Sequence, residues 1–408
     1  MAALLLTACT APVTPTPTAA PPTAAPPTVA PATPAPAATP SGPILPAPLY
    51  VLELGQVARI ERDATTRNLV TNERSTISGV PPIATFAASP QGSLAYVVGD
   101  LEADRLVISD GRGAEGTVRY SQPGHELSDL VFSPDGATIA LRLLNNNEPA
   151  DIPSGLYRIP IAGGAPELLQ ADDPVDDVVN PSRAVSGYQP AAYSPDGARL
   201  LVYVQSLFYE DCVLGIIPAA GGTVRRIELP AGIRTYCAEA VWTPDSAALL
   251  FLAGPAEGPA AGPQLWRADA ATGAAELLLG GELYARAPLA RGDGTIRFFL
   301  ARVERDASGS VIGGSFAPAE LSAPGAAPRE LGPAFPDRLE RALWAPDGSG
   351  AVLELSPAEA VPELHWSPIA GEPLRLPSTR ERIGGLAWGA AELRALNAAP
   401  EARYLLQP

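Results

Sequence analysis

A five-residue turn, Phe132-Ser133-Pro134-Asp135-Gly136, precedes the alternating run Ala137-Thr138-Ile139-Ala140-Leu141-Arg142-Leu143, and the combination returns along most of the chain. Proline sets φ at the first turn position. Aspartate bonds back to its own backbone, and glycine accepts the left-handed conformation that closes the turn. Ile139, Leu141 and Leu143 fall on one face with the period of a strand, so the segment predicts a hairpin. Its copies are Ala88-Ser89-Pro90-Gln91-Gly92, Tyr193-Ser194-Pro195-Asp196-Gly197, Trp242-Thr243-Pro244-Asp245-Ser246 and Trp344-Ala345-Pro346-Asp347-Gly348. Arg291-Gly292-Asp293-Gly294 is a degenerate copy, and Leu386-Ala387-Trp388-Gly389 opens another without the Pro-Asp. The spacing of about 44 to 61 residues is that of four-stranded propeller blades.

A second signature follows each turn. Leu156-Tyr157-Arg158-Ile159-Pro160-Ile161-Ala162-Gly163-Gly164 is its best copy, echoed from Leu214 to Gly222, Leu265 to Gly273 and Leu364 to Gly371. Each predicts a third strand, a glycine turn and a fourth strand. Such a unit buries its faces only by radial stacking on its neighbours. Six copies are predicted at 83–120, 126–170, 188–230, 238–280, 284–331 and 339–377. The ends, Leu49 to Val70 and Ile383 to Leu406, supply strands for a seventh blade that closes the ring by pairing the two ends and removes open edges. The expected fold is all-β, a propeller of seven blades over 49–408, with six as the alternative.

The Ser-Pro-Asp-Gly repeat with its preceding aromatic resembles the TolB-like, PD40-type repeat, a WD40-like propeller family, over nearly everything after residue 48. The resemblance implies a domain that binds proteins or peptides, often outside the cytoplasm. Gln91, Ser246 and Gly292 depart from the pattern at single blades. TolB also carries an additional N-terminal domain where this chain has a spacer, so TolB's own role is not carried over.

That spacer, residues 10–48, is built almost entirely of Pro, Thr and Ala and has no charged residue. It cannot bury a core and is expected to be a disordered, polyproline-like leash reaching on the order of 100 Å. Before it, within residues 1–9, Leu6-Thr7-Ala8-Cys9 resembles a bacterial lipobox, which implies lipidation at Cys9. The segment lacks a basic region and a full apolar stretch, as expected if translation starts upstream. The implied address is the cell envelope, with membrane attachment through the lipid anchor alone.

Charge narrows the partners. The net charge is −16, and every basic residue is arginine. Nucleic acid is therefore not an expected partner. Cys212 and Cys237 lie 25 positions apart and are expected to pair in an oxidising compartment. No CxxC spacing points to zinc, and no cofactor is expected. There is no Gly-x-Ser-x-Gly elbow, Walker loop, dinucleotide fingerprint or His-Glu-x-x-His. The repeated acids Asp135, Asp196, Asp245 and Asp347 read as turn caps, and His365 as a structural residue of a third strand. Tyr203, Phe208, Tyr209 and Tyr236 read as inter-blade core.

What breaks the repeat is the place to seek function. Asn145, Asn146 and Asn147 form one polar insertion; Asp172, Asp173, Asp176 and Asp177 form an acidic one, a solvated loop or a cation site. These rim insertions are the expected binding residues of a monomeric, non-catalytic lipoprotein that takes a protein, peptide or glycan. Two alternatives are a hydrolase or lyase with carboxylates from several blades at the channel, and a structural spacer of the envelope.

Overall fold

The computed structural model describes residues 43–390, apart from 148–149, 174–185, 207–211, 238, 256–261, 282, 306, 308–310, 336–337, 357–360 and 379–382. The described residues form strands and loops without an α-helix. Seven antiparallel sheets form a ring. Blades 1 to 6 span 83–120, 125–171, 186–226, 233–279, 284–330 and 338–375, each running from an inner A-strand through B and C to an outer D-strand. Blade 7 takes its A-strand, Ile383–Trp388, from the far end of the sequence and its other strands from 49–69. Leu49 pairs with Trp388 and Val51 with Leu386, which removes the open edge that a seven-sheet meander would otherwise leave.

Burial follows from the stacking. In the B-strand of blade 2, Thr138–Asn145, the residues between Ile139 and Leu143 are buried on both faces, not on one. Ile139, Leu141 and Leu143 pack with Leu106, Leu130 and Tyr157 against blade 1. Ala140 packs with Tyr188, Leu200 and Val202 toward blade 3. The alternation read in the sequence thus separates two apolar interfaces. One apolar cluster occupies each of the seven junctions between neighbouring blades. Each fully buried leucine or phenylalanine there contributes roughly 1.5–3 kcal/mol.

The turn residues serve the ring. Ser133 Oγ donates to Asp135 Oδ1 at 2.6 Å, and Asp135 Oδ1 also accepts the Ala137 N–H at 2.9 Å. Ser194 with Asp196 and Thr243 with Asp245 repeat this at 2.5 and 2.6 Å. The degenerate copy keeps the device, because Thr295 Oγ1 donates to Asp293 at 2.7 Å. These hydrogen bonds hold the carboxyls of Asp135, Asp196, Asp245 and Asp293 below the ordinary aspartate value. Gly136 closes its turn at φ +67°. In blade 4, Ser246 takes that left-handed position at φ +61°, and its Oγ accepts the Asp196 N–H of blade 3 at 3.1 Å.

The tryptophans before the turns join blades. Trp242 Nε1 donates to Ala192 O at 3.1 Å, Trp344 Nε1 to Ala287 O at 2.6 Å and Trp388 Nε1 to Trp344 O at 2.7 Å. Each bond crosses to the preceding blade, and Trp344 also stacks on Phe299 with ring centroids 4.9 Å apart. A large apolar ring fills the junction while its one polar atom finds a backbone acceptor.

Candidate functional site

In an antiparallel meander the A–B and C–D turns share one end of every blade. The B–C loops and D–A connections share the other. All the Pro-Asp turns therefore lie at one end. The insertions that break the repeat, at Asn145–Asn147 and Asp172–Asp173, lie at the opposite end, in blade 2 and in its connection to blade 3.

The asparagines are committed to shaping their loop. Asn145 Nδ2 donates to Asp151 Oδ1 and Ile152 O, each at 2.7 Å. Asn146 Nδ2 donates to Glu126 Oε1 at 2.7 Å, and Asn147 Nδ2 to Pro123 O at 3.0 Å. Beneath them His125, 2% exposed, holds Asp151 Oδ1 through Nε2 at 3.1 Å and Tyr120 Oη through Nδ1 at 2.6 Å. Ionised Asp151 only accepts, so Nε2 carries a hydrogen. In the neutral ring Nδ1 then accepts the tyrosine hydroxyl. The His125 bond, followed by that of Asn145, keeps the Asp151 carboxyl well below the usual range. Burial, then the nearby Asp151 charge, pushes Tyr120 up to about 12.

The acidic insertion is less open than its composition suggests. Asp172 accepts a hydrogen bond from buried Arg142 at 2.8 Å and one from the Tyr188 N–H at 3.3 Å. Desolvation raises its pKa against the lowering effect of Arg142. Gly187 leaves room for the pair as it stands: a Cβ there would sit 1.9 Å from Arg142 Nη1. Asp173 accepts the Tyr188 hydroxyl at 3.0 Å and lies 4.0 Å from Arg226. Tyr188 and Arg226 line a groove of about 600 Å³ between blades 2 and 3. Asp176 and Asp177 lie outside the described residues, as do Cys9, Phe208 and Tyr209.

Cys212, at the start of the C-strand of blade 3, is bonded to Cys237, which sits between the two pieces of the blade 4 A-strand, Ile233–Thr235 and Val241–Trp242. Their Cα atoms are 6.0 Å apart. Tyr203 and Tyr236 pack against the neighbouring inter-blade cores. Burial pushes the Tyr203 hydroxyl up to about 12. His365 lies 3.3 Å from Glu363 on its own strand.

The inner strands carry acids and arginines, and these stitch the blades together. Glu239 accepts Arg286 Nε at 2.8 Å and the Ala287 N–H at 2.5 Å. The same guanidinium donates to Leu339 O and Glu340 O of blade 6. Arg341 continues the belt to Ile383 O of blade 7 at 3.3 Å. Among the described residues, no three His, Cys, Asp or Glu side chains converge as a metal ion would require.

Sequence reasoning passed over His125, Tyr120 and Asp151, which lie in different strands and loops. The local signal was a histidine opening an A-strand next to the one asparagine-rich insertion.

No family model and no curated protein matches the chain. Solved structures do. The chain is similar to an oligogalacturonate lyase from Vibrio parahaemolyticus, with 14% identity and a TM-score of 0.55 over 77% of this chain and 83% of that one. It is similar to a prolyl endopeptidase with 12% identity and a TM-score of 0.55, over 83% of this chain, and spans about half (51%) of that protein's length. TolB from Acinetobacter baumannii aligns with 15% identity and a TM-score of 0.48, over 84% of this chain and 67% of that one. At these identities the likeness to the lyase and the endopeptidase shows the fold alone. The protein is a seven-bladed β-propeller with Pro-Asp turn repeats, and its structural neighbours include TolB proteins as well as enzymes.

Proposed function

We propose that this propeller is a non-catalytic binding module displayed outside the cytoplasm, which recognises a protein, peptide or glycan through the loop end of blades 1 to 3. The observation that carries this reading is the asymmetry of the ring. The turn end repeats the same turn-closing and blade-joining hydrogen bonds, whereas the loop end of blade 2 holds the single Tyr120–His125–Asp151 frame with the asparagine insertion fixed on it. A buried polar frame beneath a surface loop preorganises that surface for recognition.

The Cys212–Cys237 bond supports an oxidising compartment. In this reading Cys9 carries the lipid, and the Pro/Thr/Ala segment 10–48 holds the propeller off the membrane. Radioactive palmitate should label the protein and should not label Cys9→Ala; an unlabelled wild type removes the anchor. For the binding face, an envelope extract passed over immobilised protein should yield a partner that Asn146→Ala/Asp173→Ala no longer retains. Equal recovery on both columns contradicts the reading.

A further inference from the structure

Arg119, on the D-strand of blade 1 (Thr117–Tyr120), has no hydrogen bond or ion pair among the described residues, and its Nε is buried and unsatisfied. Arginines on the D-strands of other blades are paired across strands: Arg329 with Glu320 at 2.8 Å, and Arg375 with Glu363 at 3.0 Å. The Nε is closed to solvent, so an anion in the groove meets the outer Nη groups, which have no acceptor among the described residues.

Arg119 does not stand on a featureless surface. With Tyr120, Gln122, His125 and Asp151 it lines a groove of about 430 Å³ between blades 1 and 2. Across that groove Asp151 is held in place by His125, Asn145 and Asn147, and all three donors share Oδ1. Oδ2 receives no hydrogen bond among the described residues. The groove therefore offers a fixed acceptor as well as a cation. Its floor follows an edge strand, since Thr117–Tyr120 pairs only with Arg105–Ser109, with a bulge at Arg119 that leaves Thr117–Val118 as its regular stretch. The outer backbone groups of an edge strand are a template for an added extended chain.

We propose that this groove binds the C-terminal end of an extended peptide, with the Arg119 guanidinium on the terminal carboxylate. The planar fork of arginine matches a carboxylate in two parallel hydrogen bonds. The free edge of Thr117–Tyr120 pairs with the peptide backbone, and Asp151 accepts an N–H or O–H from a residue further from the end. Tyr120 and His125 are positioning residues that fix Asp151. This assignment rests on the reading of the loop end as a binding surface and names its ligand chemistry.

The test uses the full chain and two peptide arrays randomised over their last four positions, one ending in a free carboxylate and one in a carboxamide. Binders should appear on the carboxylate array, and the same sequences as carboxamides should bind at least about 10-fold more weakly. Arg119→Gln should lose at least about 10-fold on those peptides, and Arg119→Lys less, because an ammonium keeps the charge although it lacks the fork. Melting of Arg119→Gln should stay close to the wild type, since no hydrogen bond or ion pair is removed. Equal binding of carboxylate and carboxamide ends, an unaffected Arg119→Gln, or no peptide binding at all overturns the assignment. Retention of an acidic oligosaccharide but of no peptide also overturns it and places a glycan there. The broader reading fails separately, if Asn146→Ala/Asp173→Ala retains every partner of the wild type from the envelope extract.

Discussion

The two ends of the blades obey different rules. At the turn end, the polar side chains of the Pro-Asp turns close their own turn or reach the next blade, as Ser133 does to Asp135 at 2.6 Å and Gln91 does to Pro134 O at 3.1 Å. The residues repeat because the geometry repeats. At the loop end, blade 2 alone has the His125 frame, and blades 3 and 4 alone share a disulfide. Repetition marks what every blade needs in order to stack. Departure from it marks what one place on the ring is made to do.

Four perturbations sharpen this contrast, the largest first. Trp344→Ala should destabilise the propeller by about 3–5 kcal/mol, because it removes a buried ring from the blade 5–6 junction and orphans Ala287 O. Chemical denaturation reads the loss, and a value under about 1 kcal/mol would mean that the junction tryptophans do not hold the ring. Cys212→Ser/Cys237→Ser should cost roughly 3 kcal/mol on the chain-entropy model for a 25-residue separation. The melting temperature should fall, and reductant should reproduce the fall in the wild type only.

Gly136→Ala should cost about 1–2 kcal/mol, since position 136 has φ +67° and the added Cβ would meet Gln91 Oε1 at 2.1 Å. A melting curve unchanged from wild type would show that the turn relaxes freely. The smallest effect is that of pH. Asp135, Asp196, Asp245 and Asp293 have lowered folded-state values, so their contribution is complete above the ordinary value near 4 and is lost as pH falls through the lowered values. Melting temperature should therefore drop below about pH 4, and Asp135→Asn should show a shallower drop. Identical acid slopes in the two proteins would remove the turn acids from the account.

The repeat made the fold legible. Pro134-Asp135-Gly136 and its copies set the A–B hairpins, and the unpaired strands at 49–70 and after Ile383 implied the closing blade that Leu49 and Trp388 now form. The degenerate Arg291-Gly292-Asp293-Gly294 kept its turn because Asp293 and Thr295 retain the two atoms that matter. The site was legible only as a region. Asn145–Asn147 and Asp172 stood out by breaking the pattern, yet their partners, His125, Asp151 and Arg142, come from other strands or further along the loop. Sequence spacing carries no record of which side chains a ring of blades brings together. Asp172 illustrates the cost of that gap: an acidic run reads as solvated until a buried arginine, admitted by Gly187, is seen beside it.

The central claim is that the loop end binds and the turn end supports. Partner capture from an envelope extract and thermal melting, measured side by side on Asn146→Ala/Asp173→Ala and on Gly136→Ala, test it most directly. The account predicts that the loop variant loses its partner at near-wild-type melting temperature, while the turn variant melts earlier and still captures the partner when folded. A loop variant that keeps its partner, or a folded turn variant that loses it, contradicts the account.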